Sequence, residues 1–303
     1  MNEPTRSNGD AVAPATIRLG DLQVQRIGYG AMRLPGKEVW GPPDDPARAR
    51  AVLRRAVELG INFIDTAWYY GPFVANELIA EALHPYPSDL VIATKLGGKR
   101  LPDKRWAPAL RPEELRRGAE DDLRTLRLER LDVVHLRNMP AAGVPLMESL
   151  DALLAMQAEG KIRHLAVSNV NVRELEQVLG RTPIVAVQNM FNVAGGSGAF
   201  AKRTHSEVDD PEAVLELCAR KNIAYLPFFP LAVGAIARHK PILAAIAGKH
   251  RASAAQIALA WLLARSPVML PIPGTTSIEH LEENWSSRRI ALSADEVAAI
   301  AAP

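Results

Sequence analysis

Short β-type runs alternate with helical stretches along nearly the whole chain, and this rhythm constrains the fold more than any other feature of the sequence. A hairpin is predicted at 16–24, turning at Gly20-Asp21, and eight extended runs follow at 27–30, 62–65, 90–95, 131–135, 164–168, 184–188, 224–228 and 268–271. Between them fall helical stretches at 46–59, 76–83, 112–126, 146–159, 172–179, 211–221, 254–265 and 278–285, several ending near a breaker such as Gly60, Gly160 or Gly180. Repeated strand–helix units demand a mostly parallel sheet covered by helices, because parallel neighbours need a long crossover. At 303 residues the chain has room for two domains. Yet no linker or change of composition interrupts the eight units, so the expectation is a single (β/α)8 barrel, the TIM barrel, with an N-terminal β-hairpin, spanning 16–303 after a mobile tail at 1–15. The competing fold, a doubly wound sheet, would carry a glycine fingerprint after its first strand if it bound a dinucleotide. Gly28-Tyr29-Gly30-Ala31-Met32-Arg33 lacks the third glycine.

Composition narrows the function classes. With 48% hydrophobic and 23% charged residues the chain can bury a substantial core, and a net charge of +2 without long charge blocks argues against a nucleic-acid or membrane-surface partner. Cys218 is alone, so neither a disulfide nor a cysteine zinc site can form; no metal is expected, and a cytoplasmic location is. The most apolar stretch, 254–264, is interrupted by Gln256 and is too short to span a bilayer. Outer barrel helices look alike whether they face water or a neighbour; the expectation is a monomer or weak homo-oligomer.

In a barrel, side chains at the C-terminal ends of the strands meet at the active-site face. Here those ends are polar: Asp65, Lys95, His135, Ser168-Asn169 and Gln188-Asn189, with the aromatic pair Phe228-Phe229 after the seventh strand. Each alone has an ordinary structural reading, as a turn cap, a snorkelling lysine or a core histidine. Their convergence on one face does not.

Asp65-Thr66-Ala67-Trp68-Tyr69-Tyr70-Gly71, then Thr94-Lys95, then Asp132-Val133-Val134-His135, resemble the catalytic segments of the aldo-keto reductase superfamily, over about 26–284. The resemblance implies NAD(P)H-dependent reduction of an aldehyde or ketone. It makes Tyr70 the general acid, Lys95 its cationic neighbour, Asp65 the carboxylate holding that lysine, and His135 the group orienting the substrate carbonyl. Tyr69 is the competing tyrosine; Tyr70 is preferred because it directly precedes Gly71. Hydride transfer builds negative charge on the carbonyl oxygen, so a proton donor beside a cation suits the chemistry, and a lysine ammonium is expected to favour the phenolate.

No side chain supplies a hydride, so a cofactor must, and the resemblance implies NADPH ahead of NADH. The stretch after the eighth strand, Gly274-Thr275-Thr276-Ser277, leads into a helix carrying His280, Glu283 and Asn284 at one-face spacing, with Ser277 as N-cap. Helix-start N–H groups suit a phosphate, although an ordinary capped helix reads the same. By resemblance this is the adenosine 2′-phosphate and adenine segment. Likewise Ser168, Asn169 and Gln188 would hold the nicotinamide carboxamide, Phe228 would stack on its ring, and Gly30, Met32, Pro230, Leu231 and Asp65 would also border the cofactor. Gly274 stands where many relatives carry a phosphate-binding lysine, and His280 where they carry an arginine.

Trp40, Trp68, Phe73 and Trp106 fall in loops after the first three strands, where a substrate pocket is expected, though loop aromatics also pack loops. Arg137 stands in place of the common Trp-Pro after the histidine, either to meet a polar or acidic substrate group or as a solvent-facing arginine. Gly28-Tyr29-Gly30-Ala31-Met32 and Tyr225-Leu226-Pro227-Phe228-Phe229-Pro230-Leu231 resemble a bacterial branch that includes pyridoxal reductases, which implies pyridoxal-like aromatic aldehydes. The alternative is an NADPH-binding regulatory or sensing subunit with little catalysis.

Overall fold

The computed structural model describes residues 15–139, 143–194, 208–232 and 241–301. The tail expected at 1–15 lies almost entirely outside the described residues. The hairpin β1 (Thr16–Leu19) and β2 (Leu22–Gln25) turns at Gly20, whose φ of +65° favours glycine. A parallel sheet follows, made of β3 (Tyr29–Gly30), β4 (Phe63–Asp65), β5 (Val91–Leu96), β8 (Leu131–Arg137), β9 (Ile162–Ser168), β10 (Ala186–Gln188) and β11 (Ala224–Tyr225). Between β5 and β8 lies a two-stranded antiparallel excursion, β6 (Gly98–Arg100) and β7 (Trp106–Pro108).

The eighth barrel position is filled without a regular strand. Residues 268–273 bond to both free edges: Tyr225 N donates to the Val268 carbonyl at 2.8 Å and Leu270 N to the Tyr225 carbonyl at 2.9 Å. On the other side Gly28 N donates to the Pro271 carbonyl at 3.0 Å and Gly30 N to the Pro273 carbonyl at 3.2 Å. Pro271 and Pro273 have no N–H to give, which limits the ladder but still closes the barrel.

Helices α1 (Pro46–Glu58), α2 (Val74–Leu83), α3 (Pro112–Leu126), α4 (Leu146–Ala158), α5 (Val172–Arg181), α6 (Pro211–Lys221), α7 (Pro241–His250), α8 (Ala254–Arg265), α9 (Ile278–Ser286) and α10 (Ala294–Ala301) accompany the sheet. Their starts are chemically marked. Asp45 caps α1, with Pro46 at its first turn, and Asn171–Glu174 and Ser253–Gln256 form reciprocal capping boxes on α5 and α8. The hairpin β6–β7, α7 and α10 are additions to the sequence expectation. No helix among the described residues is long and apolar enough to cross a membrane.

Strand periodicity divides the core into two layers. Phe63, Val91, Ala93, Val133, Ala166, Ala186, Ala224, Leu270 and Ile272 point into the barrel, where Leu19 and Val24 of the hairpin plug its base. Ile64, Ile92, Val134, Leu136, Val167, Val187 and Tyr225 point outward to the helices. Continuing each inward series toward the strand's C-terminal end reaches Asp65, Lys95, His135, Ser168 and Gln188. Apolar residues therefore fill the barrel's base, and its top is polar.

Closure depends on a buried cation. The Arg26 guanidinium donates to the carbonyls of Met269 at 3.2 Å, Leu263 at 2.9 Å and Ser266 at 2.6 Å, tying the first strand's approach to the segment that closes the barrel. Burial lowers this group to about 10, and it stays charged at neutral pH. Arg26→Leu leaves those buried acceptors without their donor and is expected to cost about 3 kcal/mol of unfolding free energy, read by urea denaturation. An unchanged midpoint would mean the carbonyls find other partners.

Candidate active site

At the C-terminal end of the strands a cavity of about 600 Å³ opens, within the range of small-molecule and cofactor sites. Its floor is charged. Lys95 Nζ donates to Asp65 Oδ2 at 2.6 Å and to the Thr66 carbonyl at 2.9 Å, and Gln188 Nε2 donates to Asp65 Oδ1 at 2.8 Å from across the barrel. Lys95 and Asp65 side chains are each 4% exposed, so the pair is sheltered from solvent screening.

Tyr70 stands over this pair. Its ring centroid lies 5.1 Å from Lys95 Nζ, and it borders the cavity. A four-residue turn, Ala67 to Tyr70, closed by Tyr70 N donating to the Ala67 carbonyl at 2.9 Å, aims it there. Tyr69 does not reach the cavity lining: it is fully buried, packs edge-on to Trp68, Tyr70 and Trp106, and faces Gly98, where a Cβ would come within 3.3 Å of its ring. Burial pushes the Tyr70 phenol well above its ordinary value, the Asp65 charge adds to that, and Arg137 opposes it. Lys95 therefore does not tip the phenol toward the phenolate as expected: burial and Asp65 prevail, because the lysine's charge is largely answered by its carboxylate.

His135 pairs in register with Lys95 on the neighbouring strand. It is completely buried and does not itself border the cavity, so the expected contact with the carbonyl is not an open one here; the residue continues the inward series of β8 beside Lys95. Burial lowers the imidazole to about 4, so it is neutral at pH 7. Its Nδ1 is 3.5 Å from the Val167 carbonyl, and its Nε2 has no hydrogen-bond partner among the described residues.

One end of the cavity is the expected phosphate segment. Gly274, Thr275, Thr276 and Ser277 line it, followed by His280, Glu283 and Asn284 on one face of α9. Ser277 caps that helix by accepting from His280 N at 3.2 Å. Tyr29 and Arg48 hold the loop, donating to the carbonyls of Thr275 at 2.6 Å and Thr276 at 2.9 Å. Gly274 is required sterically: a Cβ there would sit 2.5 Å from the Gly30 carbonyl oxygen. A lysine at this position could not be accommodated on the same backbone. Arg33 enters the lining instead, its Cγ 3.3 Å from that Cβ position. Sequence reasoning missed Arg33, although the signal was a basic residue immediately after Met32.

Gly30, Met32, Ser168, Phe228, Pro230 and Leu231 also border the cavity. Asn169 does not; it is buried and turns its amide to the Asn138 carbonyl at 3.4 Å. Of the expected substrate residues, Trp106 and Arg137 line the cavity, with the guanidinium 5.8 Å from the indole centroid. Trp40, Trp68 and Phe73 are not in the lining. Trp68 stacks on Phe73 and packs against Gly118 of α3, and Trp40 lies under the Arg100 guanidinium, so these aromatics pack loops onto the barrel's flank. Arg100 also donates to the carbonyls of Val39 and Lys104 and lies 4.4 Å from the Trp106 centroid, which fixes the wall that Trp106 presents.

A parallel barrel whose polar end gathers a buried lysine–aspartate pair, a phenol and a capped helix start around one cavity defines a class of barrel oxidoreductases. The chain belongs to the aldo/keto reductase family, whose model matches residues 26–302. It is 43% identical over 284 residues to pyridoxine 4-dehydrogenase of Escherichia coli (strain K12), with 92% of this chain and 94% of that protein covered. An uncharacterized oxidoreductase of Schizosaccharomyces pombe is 41% identical over 286 residues, covering 94% and 89%. Among solved structures, a thermostable aldo-keto reductase in complex with the inhibitor epalrestat superposes with a TM-score of 0.78 at 29% identity, covering 94% of this chain and 98% of that one. An aldo/keto reductase from Klebsiella pneumoniae in complex with NADP and acetate gives 0.73 at 26%, covering 94% of each chain.

Proposed function

We propose that this enzyme uses NADPH to reduce an aldehyde, with pyridoxal-like aromatic aldehydes as the substrate class and Tyr70 as the proton donor. The observation that carries the reading is the meeting of Tyr70, the Lys95–Asp65 pair and the segment from Gly274 to Asn284 in one cavity. The residues fit a dinucleotide: Thr275, Thr276, Ser277 at the capped start of α9, and Arg33, a cation suited to a phosphate, line the same cavity. Ser168, Gln188 and Phe228 would hold the nicotinamide end. When bound, the reduced nicotinamide supplies a hydride to the carbonyl carbon.

The chain's own residues handle the charge. Because burial and Asp65 hold the phenol protonated, Tyr70 has a proton to give throughout the neutral range. As negative charge builds on the carbonyl oxygen, the Lys95 ammonium and the Arg137 guanidinium provide a fixed positive field in a poorly solvated site. Asp65 and Gln188 keep the lysine oriented. His135, neutral and buried beside Lys95, completes the floor. Trp106, Phe228 and Phe229 supply aromatic walls to an aromatic substrate, and 43% identity with a pyridoxine dehydrogenase supports the same class.

The test is calorimetric titration with NADPH and NADH, then single-turnover oxidation of bound NADPH on addition of pyridoxal, benzaldehyde or short aliphatic aldehydes. Tight NADPH binding and fastest turnover with the aromatic aldehydes are expected. Binding without oxidation by any aldehyde would favour a sensing subunit, and absence of binding would remove the reductase reading.

A further inference from the structure

Behind the Lys95–Asp65 pair, on the outward side of the sheet, lies a polar cluster that the proposed chemistry does not touch. Asp122 of α3 is completely buried, and both of its oxygens accept hydrogen bonds: Oδ1 from Asn76 Nδ2 at 2.7 Å and Oδ2 from the Thr94 hydroxyl at 2.8 Å. Asn76 of α2 donates also to the Thr125 hydroxyl at 3.0 Å, and its Oδ1 accepts from the Thr66 hydroxyl at 2.8 Å. The residues gripped by this cluster, Thr66 and Thr94, are the sequence neighbours of Asp65 and Lys95.

Burying such a cluster is costly, and elsewhere the same outward layer is built of Ile92, Val134, Leu136 and Val167. Its connections explain its place. Successive residues of a strand point to opposite faces, so anchoring the Thr94 side chain to α3 orients the backbone from which Lys95 projects inward. The Thr66 carbonyl, the second acceptor of the ammonium, is held by the Thr66 hydroxyl bond to Asn76 and by Thr66 N donating to the Ala93 carbonyl at 2.8 Å.

We propose that Asp122 is a positioning residue for the active-site lysine, acting through Thr94 with one oxygen and through Asn76 and Thr66 with the other to hold the ammonium against Asp65 and beneath Tyr70. This rests on the reductase reading above. The charges acting on Asp122 are Lys95 of β5, which favours its ionised form, and Asp121 on its own helix, which opposes it; α2 and β4 present the neutral Asn76 and Thr66. Burial prevails and pushes the carboxyl up to about 7. The folded protein therefore keeps a proton that an unfolded aspartate, at 3.8, releases. The stability contributed by the protonated form is full below the unfolded value and is lost as pH rises through the folded one.

Asp122→Asn preserves shape and one acceptor, removes the titrating proton, and reverses the bond to Thr94. Thr125→Val removes a bond to Asn76 and leaves both arms to the lysine intact. In Asp122→Asn, kcat is expected to fall about tenfold, with KM for the aldehyde and Kd for NADPH within about twofold and a larger deuterium isotope effect on kcat with 4-deuterated NADPH. The Tm difference from wild type should change between about pH 4 and 7 and level off above. Thr125→Val should lower Tm with kcat and the isotope effect unchanged. Equal kcat and isotope effect in Asp122→Asn and wild type, or an equal fall of kcat in Thr125→Val, would overturn the proposal. Nitrogen NMR of the Lys95 ammonium decides the matter without turnover: its resonance should move in Asp122→Asn and stay in Thr125→Val. If wild type reduces no aldehyde, the reductase reading fails, whereas an unmoved Lys95 resonance sinks the positioning role alone.

Discussion

Tyr70→Phe is expected to lower kcat by about 10³-fold or more, at the upper part of the range for removing a general acid, while leaving NADPH affinity within about twofold. The ring remains to pack against Tyr69 and Trp106, at centroid distances of 5.4 and 6.4 Å, so little else should change. Tyr69→Phe is the matched control. Its hydroxyl lies off the cavity and faces the Arg137 guanidinium, so the variant should keep near wild-type turnover. Stopped-flow absorbance of the nicotinamide, with calorimetry for binding, separates the two effects. Normal turnover in Tyr70→Phe would remove the phenol from the chemistry; a collapse of turnover in Tyr69→Phe would move the role to its neighbour.

Lys95→Met is expected to eliminate measurable reduction and to cost about 3 to 5 kcal/mol in stability, the usual penalty when one partner of a buried ion pair is removed. Asp65 would then be left with Gln188 in a site where its side chain is 4% exposed. The double substitution Lys95→Met with Asp65→Asn should recover most of the stability, because no uncompensated charge is buried, yet recover no activity. Denaturant unfolding and turnover measured on the same preparations separate a structural cost from a chemical one. A Lys95→Met protein as stable as wild type would mean that the carboxylate is solvated or protonated in its absence.

Much of this arrangement is readable in the chain before folding. Period-two alternation places Val91, Ala93 and Lys95 on one face of β5, and Val133, His135 and Arg137 on one face of β8, so the polar ends of apolar series are visible in the sequence itself. Helix boundaries follow from local chemistry too, as with Asp45-Pro46 and Ser277. Less legible was the excursion β6–β7, since Gly98–Arg100 and Trp106–Pro108 are three residues each and show no apolar alternation. The substrate wall was divided between right and wrong aromatics: Trp106 reaches the cavity and Trp40, Trp68 and Phe73 do not. Side-chain direction in irregular loops depends on what the loops pack against, here Gly118 for Trp68 and Arg100 for Trp40.

The sequence by itself determined the parallel barrel, the order of its strands, and which residue types arrive at its polar end, because these follow from periodicities of two and 3.6 within single elements. Tertiary structure alone decided that Gly274 must lack a side chain while Arg33 stands beside it, and that Asp122 is wired to the lysine from behind. Those outcomes are set where separate elements meet once the barrel has closed: a Cβ at residue 274 would stand 2.5 Å from the Gly30 carbonyl oxygen, and Asp122 accepts its hydrogen bonds at 2.7 and 2.8 Å. No local pattern encodes a contact between residues 30 and 274.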